Sequence, residues 1–347
     1  DLGADVLKVE RPGTGDDTRG WGPPFDARGE SAYYLAANRN KLSLAADLAD
    51  PADRALVAAL AAEADVVVDN FRPGTLERLG LDLGALLERA PRLVWCTITG
   101  FGLESARPGY DFVVQAECGW MAITGEAGGD PMKVGVALAD VIAGKDAAIG
   151  ILAALAARGM RADPLPAARR RLVVSLAASA AAALVNVAQN VLVSGDEAGR
   201  WGNGHPNLVP YQLFQAADGP MVVAVGNDAQ WTACARALDL PALAAEERFR
   251  TNAGRVAGRD ALVPLLAARL SERPAAEWLE RLARAGVPSG VVHGVGEAVR
   301  AAGGSPLTGM PPSVPAGAVR RPPPRLDEHG PLVRDRGWDA FRVRARP

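Results

Sequence analysis

A chain of 347 residues with 49% hydrophobic side chains is long enough to bury the core of one large domain and a smaller one. Its formal charge of -2 provides no global basic field, which excludes nucleic-acid binding driven by counterion release. Cys96, Cys118 and Cys234 stand far apart in mostly apolar settings, which argues against a disulfide framework and for a reducing, cytoplasmic compartment.

The first hundred residues alternate strand and helix patterns. The Val-rich runs DVLKVE, ADVVVDN and RLVWCTIT read as strands. Between the first two, a helix opens with Asp50 as N-cap, Pro51 at the first helical position and Asp53 in the first turn. Strand, helix, strand at this spacing predicts a parallel sheet with right-handed crossovers, whose ligand crevice lies beyond the carboxyl ends of the strands. Those ends read KVERPG, VVVDNFRPG and TITGFG. Each supplies glycine for close approach of a ligand to the backbone, and Arg11 and Arg72 suit an anion such as a phosphate.

Farther along, VGVALADVIA (134–143) places one acid, Asp140, in an apolar run, where a charge needs a structural or chemical partner. A helix is expected from Val141 to Arg158, stopping at Gly159, with Asp140 as its N-cap. Two compatible readings of Asp140 follow. It caps the helix and meets the positive end of the dipole, or it is a carboxylate nucleophile able to form a mixed anhydride or a thioester. Capping would also keep it ionised.

The most membrane-like segment is LVVSLAASAAAALVNVAQNVLVSG from Leu172. Its Ser175, Ser179, Asn186, Gln189 and Asn190, and its excess of Ala over Leu and Ile, favour a helix buried in the interior or in a dimer over a span. A Gly, Asn and Pro cluster in GRWGNGHPNLVPYQLFQAADGPMVVAVG (199–226) marks a boundary and is followed by two short strands around an ADGP turn. PAAEWLERLARAG (274–286) reads as a helix, VPSGVVHG as a strand and RRPPPRL from Arg320 as a linker. The expected division is 1–199 as a large domain, 200–319 as a small domain, and 320–347 as a segment returning to the first.

Several common sites do not fit. The dinucleotide fingerprint fails because GFG (100–102) continues as LES, and a phosphate-binding loop fails because Ala139 and Asp146 stand at required positions beside Gly144 and Lys145. His205, His293 and His329 are isolated and no C-x-x-C occurs, so no metal site is expected.

DVLKVERPGTGDDTRGWGPP, NRNKLSLAADL, VVVDNFRPGTLERLGL, RPGYDFVVQAECGWMAITGE, KVGVALADVIAG and GNGHPNLVPYQLFQAADG follow one another in order. Together they resemble the class III CoA-transferases, of the formyl-CoA transferase or carnitine-CoA transferase type, from the first residue to about Asp218 and more loosely beyond. The resemblance implies an α/β fold, with a Rossmann-like open parallel sheet in the large domain, a smaller α+β domain, and an interlocked homodimer. It implies Asp140, in KVGVALAD, as a nucleophile that passes through an acyl anhydride and an aspartyl-CoA thioester. By the same similarity Arg11, Asn70, Phe71, Arg72 and Arg78 lie at the CoA site, Tyr110 and Asp111 join the substrate-binding set, and Gly202 and Gly204 form an active-site loop. The implied partners are an acyl-CoA and a carboxylic acid, with CoA as part of the substrate and no metal or redox cofactor. Likeness of CGWMAITGE to dicarboxylate-using members points to succinyl-CoA as donor.

Two alternatives stand beside transfer. The acyl-CoA racemases of the superfamily resemble this chain but carry a His before the Asp in a GHD triplet. Here the triplet is Gly109, Tyr110, Asp111, and a phenol titrating near about 10 is a poor base at neutral pH. The family pattern also opens with a further strand and helix ahead of DLGADV, so an inactive, truncated relative is the other alternative. ADPLPAARRRLVVSLAAS and DEHGPLVRDRGW depart from the family pattern and are expected to weaken subunit packing.

Overall fold

In a computed structural model, which describes residues 1–161 and 163–343, the chain forms two compact units. The first takes Asp1–Val114, Ala137–Ala183 and Val295–Pro347, and the second takes Gln115–Val136 and Leu184–Gly294.

The first unit holds five parallel strands in two sheets. β1 (Val6–Glu10) pairs with β2 (Lys41–Ala45), from Val6 opposite Lys41 to Glu10 opposite Ala45. β3 (Val66–Asp69), β4 (Val94–Thr99) and β5 (Arg171–Ser175) form the other sheet, with β4 in the middle. β4 is buried almost throughout, as the central strand of a parallel sheet must be, and even its Thr97 and Thr99 are taken inside with Val94, Trp95 and Cys96. The α/β class and the parallel pairing match the sequence reading, while the strands are shared between a pair and a triplet.

The helix between β2 and β3, Pro51–Glu63, starts where its signals place it. Asp50 accepts from the amides of Ala52 at 2.9 Å and Asp53 at 3.0 Å. Its Leu60 meets Leu42 and Leu44 of β2, together with Val333 and Ala340 from the end of the described chain. That returning segment also covers the edge of β2. The Ala45 amide donates to Asp327 at 2.7 Å and the His329 amide to the Ser43 carbonyl at 3.1 Å, so the edge is paired rather than left open. The stretch read as a linker is tied down too, since the Pro324 carbonyl accepts from the Tyr34 hydroxyl at 3.0 Å.

One expectation is corrected where the first unit passes into the second. The Ala-rich stretch is not one helix, for Arg171–Ser175 is strand β5, a helix follows over Leu176–Ala182, and another begins at Val185. The β-branched Val173 and Val174 pair with Thr97 and Ile98 of β4, and sheet pairing outweighs the helical preference of the alanines beyond them. The helix Val185–Ser194, which belongs to the second unit, has no buried residue, so of the interior and dimer positions expected for it the interior one is not found. Among the described residues no single helix is long and apolar enough to cross a membrane.

The second unit contains an antiparallel sheet of β6 (Tyr211–Ala216), β7 (Gly219–Ala224) and β8 (Ser289–Val291). β6 and β7 flank the expected ADGP turn. Its core gathers Met221, Trp231, Phe249, Leu262 and Trp278. The helix Ala275–Arg284 turns Trp278 and Leu282 inward, on the face that its period predicts.

The loop after β1 is held by a buried ionic clasp. Arg19 donates from Nε and Nη2 to Glu10 at 2.8 and 2.9 Å, from Nη1 to Glu30 at 2.7 Å, and to the Tyr34 hydroxyl at 2.6 Å. Burial resists the charge on Glu10, but the hydrogen bonds from Arg19 and Ser43 outweigh it and hold the carboxyl below its usual range. Removing one partner of a buried set strands the others. Arg19→Ala is therefore expected to lose about 3–5 kcal/mol of stability, read by urea unfolding at neutral pH, and a loss under about 1 kcal/mol would show that the clasp is idle.

Candidate active site

Two features of the chain put carboxylates near the start of the long helix Leu138–Gly159. The first is the end of β4. Gly100 and Gly109 lie back to back, so that a Cβ on Gly100 would come 2.4 Å from the Gly109 Cα. Gly100, expected to make room for a ligand, instead makes room for Gly109, and that corrects the sequence reading at this position. The contact closes the loop 101–108 and delivers Tyr110 and Asp111 to the first turn of the helix Asp111–Glu117.

The second is the helix itself. It begins at Leu138 after Ala137, whose side chain gives no cap, and Asp140 sits inside the first turn. Asp140 is therefore not the N-cap, a second correction. Asp111 fills that role from another part of the chain, its Oδ1 accepting the Ala139 amide at 2.8 Å. The Asp140 carboxylate is solvent-accessible and has no hydrogen bond or ion pair among the described residues. Partial burial first, and the charge of Asp111 second, push its carboxyl above the ordinary aspartate value. The expectation that a cap would keep it ionised is replaced by the opposite shift, because burial and the charge of Asp111 both act against its ionised form.

Tyr33 belongs to the same surroundings and was not singled out in the sequence. It sits on the short helix Ala32–Ala37, capped by Ser31, whose Oγ accepts the Tyr34 amide at 3.0 Å. Burial, then the charges of Asp140 and Asp111, push its phenol up, so the hydroxyl stays protonated and able to donate. Its ring meets Trp21 edge to face, with centroids 4.9 Å apart, and both rings remain about half exposed. An aromatic pair exposed beside GWGPP is the signal that could have found it.

The other expected residues of this unit lie on loops at strand ends. Arg11 follows β1 and pairs with Asp17 at the surface. Asn70, Phe71 and Arg72 follow β3, and Asp69 shapes their backbone. Its Oδ2 accepts Trp95 Nε1 and Thr97 Oγ1, both at 2.7 Å, while its Oδ1 accepts the Phe71 amide at 3.1 Å. Phe71 is left 42% exposed, a position that core packing does not explain. Arg72 is exposed with no carboxylate partner among the described residues. Arg78 donates to Gly74 O at 3.2 Å and to Thr75 Oγ1 at 2.9 Å, and likewise has no carboxylate partner among the described residues. Tyr110 is exposed, next to Asp111.

Gly202 and Gly204 lie in the second unit. The Gly202 amide donates to Gly125 O at 3.1 Å with φ of +56°, and a Cβ there would lie 2.9 Å from Glu126 Oε2. Both glycines line a cavity of about 540 Å³ with Asn190, Trp201 and Asn207. Among the described residues no group of three His, Cys, Asp or Glu side chains is arranged to hold a metal.

The model of CoA-transferase family III matches residues 1–305. The succinyl-CoA:glutarate CoA-transferase of Mus musculus is 40% identical over 351 residues, covering 95% of this chain and 79% of its own length. The Homo sapiens enzyme of the same name is 42% identical over 301 residues, and the match spans 84% of this chain but only 66%, just under two thirds, of that relative. A crystal structure of a CAIB/BAIF family protein from Brucella suis superposes with a TM-score of 0.80 at 40% identity, covering 96% of this chain and 92% of that one.

The hydrogen bonds of Asp69 set a stability test that is independent of any activity. Asp69→Ala leaves the Trp95 indole and the Thr97 hydroxyl without their acceptor, and a loss of about 1–3 kcal/mol is expected in urea unfolding, with an unchanged midpoint counting against the assignment.

Proposed function

The chain belongs to CoA-transferase family III, and on that premise we propose that it moves CoA from an acyl-CoA donor to a free carboxylic acid through covalent intermediates on Asp140. The observation that carries this reading is an accessible carboxylate in the first turn of a helix, raised in pKa and committed to no partner among the described residues. Burial and the charge of Asp111 raise the Asp140 carboxyl above the ordinary aspartate range, which makes its anion the stronger nucleophile, and no partner among the described residues holds it.

The steps balance without any outside reagent. An Asp140 oxygen attacks the thioester carbonyl, the C–S bond breaks, and CoA leaves as thiolate, giving a mixed anhydride. The thiolate then attacks the Asp140 carbonyl carbon, expelling the donor acid as carboxylate and leaving an aspartyl-CoA thioester. The acceptor carboxylate attacks the carbonyl of that thioester, its C–S bond breaks to give a second mixed anhydride and CoA thiolate, and the thiolate attacks the acceptor's acyl carbon, expelling the Asp140 carboxylate, which is thereby regenerated. Thioester energy is held in a bond to the protein throughout, which is why water must be kept from the anhydride. The protonated phenol of Tyr33 is suited to donate to a carbonyl oxygen as it gains charge.

For CoA, Arg72 and Arg78 are cations without carboxylate partners among the described residues, a state suited to phosphate, and Arg11 is exposed on the loop after β1. Asn70 and the exposed Phe71 would take the adenine or the pantetheine arm, Tyr110 the substrate, and Gly202 and Gly204 a closing loop. The names of the mouse and human relatives support succinyl-CoA as donor and a small dicarboxylate as acceptor. A homodimer in the cytoplasm completes the reading.

Labelled succinyl-CoA incubated with a panel of acids should yield a new thioester, and mass spectrometry of the trapped enzyme should find the adduct on Asp140. Asp140→Ala should lower turnover by at least about a thousandfold while CoA still binds; retained turnover would remove Asp140 from the reaction. Solvent deuterium entering a 2-methylacyl-CoA without transfer would identify a racemase instead. Because Asp140 acts as the anion and its pKa is raised, kcat/KM should fall on the acid side through a pH above the ordinary aspartate range, and a limb at the ordinary value would contradict the shift.

A further inference from the structure

A helix with a carboxylate in its first turn ordinarily uses that group, or the residue ahead of it, to satisfy its free amides. Here neither does. Ala137 has no capping side chain, Asp140 accepts no hydrogen bond among the described residues, and the Ala139 amide goes to Asp111, 28 positions earlier in the chain. The loop that carries Asp111 is closed by the Gly100 and Gly109 contact, and the Gly100 carbonyl is fastened by the Ala177 amide at 3.0 Å and by the Ser175 hydroxyl at 3.2 Å. Ala139 is fully buried, so the amide being capped cannot turn to water instead.

We propose that Asp111 is a positioning residue for the transfer reaction, capping the helix that carries Asp140 so that the nucleophile remains uncommitted and aimed. This rests on Asp140 as the nucleophile. Asp111 then acts through another residue rather than on CoA, which replaces the substrate-contact role implied for it by resemblance. Two consequences follow. Its hydrogen bond fixes the first helical turn, and its negative charge adds to burial in disfavouring the ionised form of Asp140, while Tyr33, the other titratable group of the surroundings, is itself held protonated by burial and by the charges of Asp140 and Asp111.

The two consequences separate in two variants. Asp111→Asn keeps an oxygen for the Ala139 amide and removes the charge, so the acid limb of kcat/KM should move to lower pH. Asp111→Ala removes both, and kcat should fall about tenfold while KM for the acyl-CoA stays within about twofold, because the reacting group is misplaced and the CoA contacts are not. The asparagine variant should recover most of that kcat, a rescue that loss of folding alone would not predict. If the alanine variant does not fold, the pH limb of the asparagine variant decides the matter. An unmoved limb, or a rise in KM with kcat intact, would overturn the role. Asp140→Ala run in parallel distinguishes the failures, since turnover there removes the nucleophile itself, whereas an inactive Asp140→Ala beside an Asp111→Ala of full kcat removes only the positioning role.

Discussion

A single hydrogen bond, from the Ala139 amide to Asp111, caps the long helix and leaves the Asp140 carboxylate outside that cap. With it, Asp140 is left with partial desolvation and a neighbouring anion, both of which favour the protonated form and make the anion that does form more basic.

The same economy recurs at the strand ends of the first unit. The loop after β1 hangs on the buried clasp of Arg19, Glu10 and Glu30, and the loop after β3 on Asp69 with Trp95 and Thr97. In each case charged or polar groups are consumed inside, where leaving them unpaired is expensive, so that others remain at the surface unspent. Phe71, Arg72 and Arg78 are such groups: their side chains contribute little to the core and are held out on a backbone that others fix. An aromatic and two cations without a carboxylate partner among the described residues, beyond the end of a parallel strand, suit a ligand that is flat at one end and phosphorylated at the other.

Much of this was legible. The Val-rich runs of β1, β3 and β4, the helix announced by Asp50 and Pro51, the turn between β6 and β7, and the amphipathic helix around Trp278 are where local signals place them. Local preference was a poor guide where a long-range partner existed, as at Val173 and Val174, whose pairing with β4 turned an Ala-rich helix into a strand followed by two helices. Tyr33 went unnoticed because a Tyr in a short apolar helix carries no mark of a charge that approaches it from elsewhere.

By itself, the sequence determined the α/β class, most elements of the first hundred residues, and Asp140 as the acid that needed an explanation, since these depend on neighbours within a turn or a strand, while the family was legible as a resemblance carried by several motifs in order. Only the tertiary structure decided that Asp140 is not a cap, that Gly100 accommodates Gly109, and that Asp111 and the phenol of Tyr33 come within electrostatic reach of Asp140. The physical reason is the range of the forces involved. Helix and strand propensities act over a few residues, whereas hydrogen bonds, desolvation and charge respond to whatever the fold brings within a few ångströms, however far apart along the chain.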